Sequence, residues 1–383
     1  MKIRLGMIGG GPGSFIGAVH RKAAALDAMY ELVCGSFSSN PEKSKETGSG
    51  LQLDPDRVYG SYQEMISRES ALDADLRMQA VSIVTPNHLH AGPAIMALEH
   101  GFHVIIDKPL AFSLDEARQI QAAVKKTGLV FALTHTYAGY PMIKEARNLV
   151  RTGKIGTLRK IFVEYPQGWL SAHLEKDGQK QASWRTDPSM SGAGGSVGDI
   201  GTHAAHLAEY VSGLKIVQVC GELNTKVEGR LLDDDAAALL RFENGVSGVL
   251  MATQIAAGEE NNLKMRIYGE KGGLEWSHAD PNTLLLKPAD GPVQVYRTGS
   301  GYVSDAAAKF TRLPAGHPEG YIEAFANIYT AFAEAVTDHT SGRYRSAADY
   351  DFPTVDEGVR GMAFIETMVA SSASDKKWTN LSL

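Results

Sequence analysis

The sequence predicts an α/β protein in two parts: a doubly wound parallel sheet at the N terminus, then an α+β domain with a large, mainly antiparallel open sheet. Three observations carry this expectation. Strand-like and helix-like segments alternate over the first third of the chain, the pattern of βαβ units with parallel strands. The small residues Gly9-Gly10-Gly11-Pro12-Gly13 stand between the first strand and the first helix. After about residue 135, long strand-like runs follow one another directly. The expected division is therefore 1–135 and 136–383.

The first strand covers 3–8, a short apolar run ending in glycines, and a helical pattern over 16–29 follows. Residues 31–37 read as the second strand. Asn40 is placed to cap a helix over 41–47, with Pro41 at its first position, where a missing N–H costs nothing. A short strand near Val58, a helix over 62–68 and a clear strand over 80–84 come next. Helices at 88–101 and 113–126 then alternate with strands at 102–106 and 129–134. Right-handed crossovers put helices on both faces of such a sheet. Beyond 135 the expected strands are 158–165, 216–226, 236–242, 246–257 and 263–268. Helices are expected at 141–151, 319–337 and 355–370, the last being a candidate to pack back on the first part. Asn244-Gly245 is a tight-hairpin pair. Residues 167–198 form a long stretch rich in Gly, Ser and charge, and loops of that length commonly carry function.

With 383 residues the chain exceeds one ordinary core, and 43% hydrophobic with 21% charged residues describes a soluble globular protein. A net charge of −6 without a basic tract gives no support for nucleic acid or an anionic membrane as partner. Cys34 and Cys220 are the only cysteines, too few for a disulfide framework, which fits a reducing compartment. No apolar run approaches the roughly 20 residues of a membrane span. Met1-Lys2-Ile3-Arg4 leads straight into a strand, with no space for a signal peptide. The expected location is the cytoplasm.

Four motifs of the first part fall where strands end, the place at which open α/β sheets bind ligands. The glycine turn lets the backbone approach a pyrophosphate while the helix start supplies N–H donors. Gly9 and Gly11 match the first two glycines of G-x-G-x-x-G. Ser14 stands at the third position, and Gly17 is the candidate to take over its role. Gly9, Gly11, Pro12, Gly13, Ser14, Phe15 and Ile16 are thus expected to cradle a dinucleotide. The second strand ends in Gly35-Ser36-Phe37-Ser38-Ser39-Asn40, without the acid that a NAD-preferring site uses for the ribose hydroxyls. Ser38, Ser39 and Lys43 tilt the expectation from NAD toward NADP, although the serines alternatively serve only turn and cap. Thr85-Pro86-Asn87-His88-Leu89-His90 follows the strand at 80–84. Thr85, Pro86, Asn87 and His90 are expected near the cofactor ribose or nicotinamide, with helix capping by Asn87 as the structural alternative. In Val104-Ile105-Ile106-Asp107-Lys108-Pro109-Leu110, an apolar strand ends in a carboxylate, an amine and a proline. Pro109 biases Lys108 toward extended backbone. At that edge Asp107 and Lys108 can reach a cofactor, and Lys108 can place a charge or take up a proton.

The second part carries Gly198-Asp199-Ile200-Gly201-Thr202-His203-Ala204-Ala205-His206. On a helix, Asp199 and His203 lie one turn apart on one face. A carboxylate so placed orients an imidazole, the side chain best suited to move a proton near neutrality. Other readings stay open: Ser196-x-x-Asp199 resembles a capping box, the histidines could be ordinary buried ones, and Asp199, His203 and His206 could hold a metal. Trp184-Arg185 offers an aromatic face and a guanidinium to a polyhydroxylated ring, or simply anchors the loop. Tyr137, in His135-Thr136-Tyr137, is a candidate to present a phenol to substrate. His317-Pro318-Glu319-Gly320-Tyr321 suits a helix start.

Together, the glycine turn, Thr85-Pro86-Asn87-His88-Leu89-His90, Asp107-Lys108-Pro109, Trp184-Arg185 and Gly198-Asp199-x-Gly201-x-His203 resemble the glucose–fructose oxidoreductase/inositol dehydrogenase/rhizopine catabolism family, Gfo/Idh/MocA. The resemblance spans essentially the whole chain. It implies an N-terminal Rossmann domain, a C-terminal domain whose open sheet mediates assembly into a homodimer or homotetramer, and NAD or NADP as cofactor. It also implies hydride transfer to or from a secondary alcohol or ketone of a sugar, anhydrosugar or cyclitol. Lys108 corresponds to the lysine of the Glu-Lys-Pro motif, and Asp199 and His203 complete the catalytic set. On this pattern His203 accepts the hydroxyl proton, Asp199 orients it and Lys108 polarises the oxygen, or Lys108 is itself the acceptor. Lys108, Tyr137, Trp184, Arg185, Asp199 and His203 are the substrate contacts. Two departures stand out: Asp107 replaces the usual Glu with a shorter reach, and the glycine turn is lengthened. The family also contains glycosidases that oxidise transiently and eliminate, and non-catalytic dinucleotide- or sugar-sensing regulators, so both remain alternatives.

Overall fold

The computed structural model describes residues 2–383, and Met1 lies outside it. The chain forms two compact units. The first joins the residues up to His135 with Phe325–Val359; the second joins Thr136–Ala324 with Arg360–Leu383.

The first unit contains β1 (Ile3–Gly9), α1 (Phe15–Leu26), β2 (Tyr30–Ser36), α2 (Pro41–Gly50), α3 (Tyr62–Ser70), β3 (Ala80–Val84), α4 (Ala91–Glu99), β4 (His103–Ile106), α5 (Leu114–Thr127) and β5 (Phe131–Leu133). All five strands pair in parallel, in the order β2-β1-β3-β4-β5. Every residue of β3 and β4 is buried, as expected for central strands covered on both faces. Local chemistry sets the helix starts: Ser14, Asn40, Ser61 and Ser113 each accept the backbone N–H three residues on. The strand expected near Val58 is reduced to one parallel bridge, Gly35 to Val58, because Pro55–Arg57 form a 3₁₀ turn immediately before it. That bridge keeps the position outside β2 which the third strand holds in the order 3-2-1-4-5-6. The helix expected over 88–101 is also shorter, since a 3₁₀ turn at Asn87–Leu89 precedes α4.

The second unit carries α6 (Pro141–Arg151), β6 (Leu158–Pro166), α7 (Lys180–Arg185), α8 (Pro188–Ser191), a π-helical turn (Val197–Gly201) leading into α9 (Thr202–Ser212), β7 (Ile216–Asn224), β8 (Asp235–Phe242), β9 (Ser247–Thr253), β10 (Lys264–Gly269), β11 (Gly272–Ser277), β12 (Thr283–Pro288), β13 (Gln294–Arg297) and α10 (Asp305–Ala308). After α11 (Tyr321–Thr340) and α12 (Val355–Ser372), β14 (Thr379–Asn380) completes the sheet. The order is β13-β12-β11-β10-β6-β9-β8-β7-β14, and only β6 and β9 run parallel. Asn244 and Gly245 adopt φ of 59° and 79°, the left-handed pair required by the tight turn joining β8 to β9. Strands β11 to β14 add to the five strands expected from sequence.

The segment from Phe325 to Val359 is stitched into the first unit. Tyr30 Oη donates to the carbonyl of Tyr329 at 2.5 Å, and Leu133 N–H donates to that of Pro353 at 2.8 Å. Among the described residues no helix is long and apolar enough to cross a membrane.

His103, 6% exposed on β4, accepts the Val130 N–H at Nδ1 over 3.0 Å, and burial with the neighbouring His339 pushes its pKa down to about 3. The folded pKa lies below that of an unfolded histidine, so its contribution is present above about pH 6.5 and lost as pH falls toward 3. Stability should decline with acid by up to about 1.4 kcal/mol per pH unit from this group. His103→Asn keeps an acceptor for Val130 but does not titrate. Denaturant midpoints at pH 7 and pH 5 should differ less in that variant than in the wild type.

Candidate functional site

In the first unit the candidate residues collect at the carboxyl edge of the sheet. Gly9 ends β1 beside Val84, the last residue of β3, so the glycine turn and Thr85 flank the point where strand order reverses. Gly9, Gly10 and Gly13 have φ of 87°, 79° and 76°, a conformation that side chains resist. A Cβ on Gly11 would stand 2.6 Å from the carbonyl oxygen of Phe37. Ser14 is the N-cap of α1, its hydroxyl accepting from Gly17 N–H at 3.2 Å, so it does not act as a third glycine. Gly17 does: a Cβ there would lie 2.4 Å from Gly10 Cα, and its absence lets helix and turn close-pack. Pro12, Gly13 and Phe15 are exposed, Phe15 by 66%, and Ile16 is partly buried. This open backbone cradle before a helix N-terminus fits a pyrophosphate.

Beyond β2, Ser38 Oγ accepts the Asn40 N–H at 3.2 Å and Asn40 Oδ1 accepts that of Lys43 at 3.0 Å, so both serve turn and cap. Ser39 and Lys43 are exposed. Thr85 and Pro86 are half-buried and Asn87 is buried, but neither the 3₁₀ turn nor α4 takes a side-chain cap, so capping by Asn87 is not realised. His90 is fully buried. Its ring nitrogens face the carbonyl oxygens of Pro109 at 2.9 Å and Thr85 at 2.8 Å, tying these two loops together rather than presenting a ligand contact. Burial pushes the His90 pKa down.

Asp107 and Lys108, both half-buried, follow β4. Asp107 N–H donates to Ile83 O at 3.0 Å and its carboxylate accepts the Thr134 hydroxyl at 2.9 Å. Burial alone would raise its pKa; the imidazole of His20, the Lys108 ammonium and Thr134 together hold it below the usual carboxylate range.

In the second unit Asp199 lies within the π-helical turn and His203 at the start of α9. Such turns recur at functional sites because they re-aim side chains. The capping-box reading is overturned. Ser196 is itself helical, and its hydroxyl donates to Asp233 Oδ2 at 2.7 Å. Asp233 also accepts the N–H groups of Gly195 at 2.6 Å and Val197 at 2.8 Å, so the true cap comes from the loop before β8. Asp199 is released for other work: its Oδ2 accepts Arg185 Nε at 3.2 Å and Gln254 Nε2 at 2.9 Å. Arg185 and Trp184 end α7 rather than lying in a loop, with the guanidinium 4.2 Å from the indole centroid.

His203, 7% exposed, meets the ring of Tyr137 edge-on, centroids 4.9 Å apart at 90°. The Tyr137 hydroxyl is not presented to solvent. It bonds to the Tyr165 hydroxyl; Tyr165 donates to Asn261 Oδ1 at 2.6 Å, and Asn261 Nδ2 donates back to Tyr137 at 3.2 Å. Burial pushes both phenols up, so they stay protonated. Tyr137 therefore contributes a wall rather than the expected phenol. His278 donates from Nδ1 to the Asn261 carbonyl at 2.7 Å and accepts Tyr140 Oη at 3.0 Å, fixing its tautomer. Among the described residues no three His, Cys, Asp or Glu side chains are grouped to hold a metal. Sequence reasoning missed Asp233, Gln254, Tyr165 and Asn261. Only Gln254 had a signal, a polar amide inside the largely apolar run expected over 246–257.

Comparison with known proteins agrees with these features. Residues 3–135 match the oxidoreductase family with NAD-binding Rossmann fold, and 143–275 match the GFO/IDH/MocA C-terminal domain. An oxidoreductase from Sinorhizobium meliloti superposes with a TM-score of 0.88 at 44% identity, covering 99% of both chains. An inositol dehydrogenase homolog from Azotobacter vinelandii, complexed with NADH and myo-inositol, gives 0.92 at 34%, covering 99% of this chain and 98% of that one. Levoglucosan dehydrogenase of Pseudarthrobacter phenanthrenivorans is 29% identical over 74% of this chain and 76% of its own. With its glycine cradle at the sheet edge and both halves matched, the chain belongs to the Gfo/Idh/MocA family of NAD-binding oxidoreductases.

Proposed function

We propose that the protein is a dehydrogenase of a polyhydroxylated ring, a sugar, anhydrosugar or cyclitol, whose secondary alcohol it oxidises reversibly to a ketone. The observation that carries this reading is the second unit's arrangement: His203 against the Tyr137 ring, and Asp199 gripped by Arg185 and Gln254. Trp184 and Arg185 add an aromatic face and a charged donor beside that carboxylate, a combination suited to hydroxyl-bearing rings. Relatives that act on or bind myo-inositol and levoglucosan support the substrate class.

A bound nicotinamide supplies the hydride chemistry. Gly9, Gly11, Pro12, Gly13, Ser14, Phe15 and Ile16 hold the dinucleotide, with Thr85, Pro86 and Asn87 beside it. His90 and Asp107 shape the rim. Lys108 donates a hydrogen bond to the reacting oxygen and polarises it. His203 takes the hydroxyl proton, and the Asp199 charge one turn earlier favours the resulting imidazolium. Because β2 ends without an acid and Ser39 and Lys43 are exposed beside it, the adenosine end admits a 2′-phosphate, and we assign NADP as at least the equal of NAD.

The test is a screen of NAD and NADP against monosaccharides, anhydrosugars, glycosides and inositols, read by reduced-nicotinamide absorbance. Net reduction with a polyol is expected, at a kcat/KM for NADP no lower than for NAD. A preference for NAD above about 100-fold, the scale on which a single pocket contact discriminates, would refute the cofactor assignment. Hydrolysis of a glycoside without net reduction would replace the dehydrogenase by an eliminating glycosidase. Tight dinucleotide binding with neither activity would leave a sensor.

A further inference from the structure

Directly behind Asp107, the first unit buries a polar chain that the reaction does not use. His20 from α1 and Ser82 from β3 are both fully buried, and Tyr329 from α11 is 1% exposed. His20 Nδ1 lies 2.7 Å from Tyr329 Oη and 3.2 Å from Ser82 Oγ, and the two hydroxyls are 2.9 Å apart. On the other side of the ring, His20 Nε2 faces Asp107 Oδ1 at 3.7 Å and has no hydrogen bond of its own.

The proton positions are inferred from these contacts, since a carboxylate facing Nε2 favours a proton on that nitrogen. Burial pushes the Tyr329 phenol up, so it stays protonated, and its O–H donates to Nδ1. With Nδ1 an acceptor, the ring proton sits on Nε2, directed at the carboxylate. Ser82 donates to the phenol oxygen, and Thr134 supplies the second donor to Asp107. Every step points the same way, from Ser82 through Tyr329 and His20 to Asp107. Burying three such groups is costly, and replacing buried polar groups by apolar side chains of similar size is often neutral or stabilising.

We propose that His20, Tyr329 and Ser82 are positioning residues: they lock the His20 tautomer so that its Nε2–H holds the Asp107 carboxylate in one orientation, which fixes the backbone from which Lys108 reaches the substrate. This inference rests on the assignment of Lys108 to the reaction. Tyr329→Phe removes one oxygen. Together with Ser82→Ala it also removes the hydroxyl 3.2 Å from Nδ1 that would otherwise turn to replace the phenol, so the ring proton can move there and turn the Nε2 lone pair against the carboxylate.

The experiment compares wild type, Tyr329→Phe/Ser82→Ala, His20→Gln, His20→Met and Lys108→Met in steady-state oxidation of the polyol found by screening. Dinucleotide Kd and thermal midpoint are measured in parallel. Misplacing a reacting group by about 1 Å costs up to about 10²-fold, so kcat should fall tenfold or more in the double variant and in His20→Met, with Kd and the KM for polyol changed far less. His20→Gln places an amide N–H where Nε2–H stood and should restore most of the kcat. Equal loss in His20→Gln and His20→Met, or a fall tracking thermal midpoint and Kd, would reduce the chain to a structural role and overturn the proposal. So would unchanged kcat in the double variant while Lys108→Met is inactive. Activity in Lys108→Met would instead overturn the assignment of Lys108 itself. Should His20→Met fail to fold, the purely subtractive Tyr329→Phe/Ser82→Ala variant decides by the same split between kcat and KM.

Discussion

His203→Asn should lower kcat by about 10²- to 10⁴-fold, the range that a positioned proton acceptor contributes. Asparagine preserves polarity and approximate size but cannot carry a proton near neutral pH. Because His203 is 7% exposed and packed edge-on to Tyr137, the substitution leaves that wall in place. The defect should therefore appear in kcat and kcat/KM together, the sign of an interaction made in the transition state. Lys108→Met keeps the length of the side chain and removes its charge. It should cost a comparable factor, through lost polarisation of the reacting oxygen. Dinucleotide binding, measured by protein fluorescence, should survive in both variants because the glycine cradle is untouched. Turnover within about tenfold of wild type in both would remove these residues from the proposed chemistry.

Asp233→Ala should cost on the order of 3–5 kcal/mol, since hydrogen bonds to a charged group are worth about 1.5–3 kcal/mol each and the donors left behind are buried. Three donors converge on this carboxylate: Gly195 N–H, Val197 N–H and the Ser196 hydroxyl. The backbone approaches just as closely, for a Cβ on Gly195 would lie 2.1 Å from the Asp233 carbonyl oxygen. This clasp fixes the entry to the π-helical turn that carries Asp199. Asp233→Asn should rescue little, because its amide would set N–H donors against one of the existing donors. Denaturant unfolding at pH 7 should show the loss in both variants, and kcat should fall in whatever fraction remains folded. A loss below about 1 kcal/mol would mean that water replaces the clasp.

The parallel sheet was legible because βαβ alternation, serine and asparagine caps and the glycine turn are local signals. Asn244-Gly245 marked its hairpin for the same reason, since two consecutive positive φ values can be read from residue type. Strands β11 to β13 carried weaker marks. Gly272 and Gly273 open β11 with no side chains to pack, and Leu284-Leu285-Leu286 shows no alternation, although only Leu284 and Leu286 are buried. Their pairing is decided by register with neighbours already in the sheet.

Motif order singled out Lys108, Asp199 and His203 as candidates, but partner choice was hidden. Ser196 and Asp199 are three residues apart and invite a local cap. The carboxylate that does the capping, Asp233, is 37 residues from Ser196, and nothing in its flanking sequence distinguishes it from Asp234 or Asp235. Tyr137 was recognisable as an aromatic at the boundary. That its hydroxyl is consumed by Tyr165 and Asn261 depends on a 3₁₀ turn, a strand and a loop meeting in space.

The segment from Phe325 to Val359 bears on how the protein is made. His20 and Tyr30 emerge from the ribosome early, yet the phenol and carbonyl of Tyr329 that complete their bonding are translated roughly three hundred residues later. At about 5–20 residues per second that interval is roughly 15 to 60 s. The nascent dinucleotide-binding sheet must wait through it with one flank uncovered.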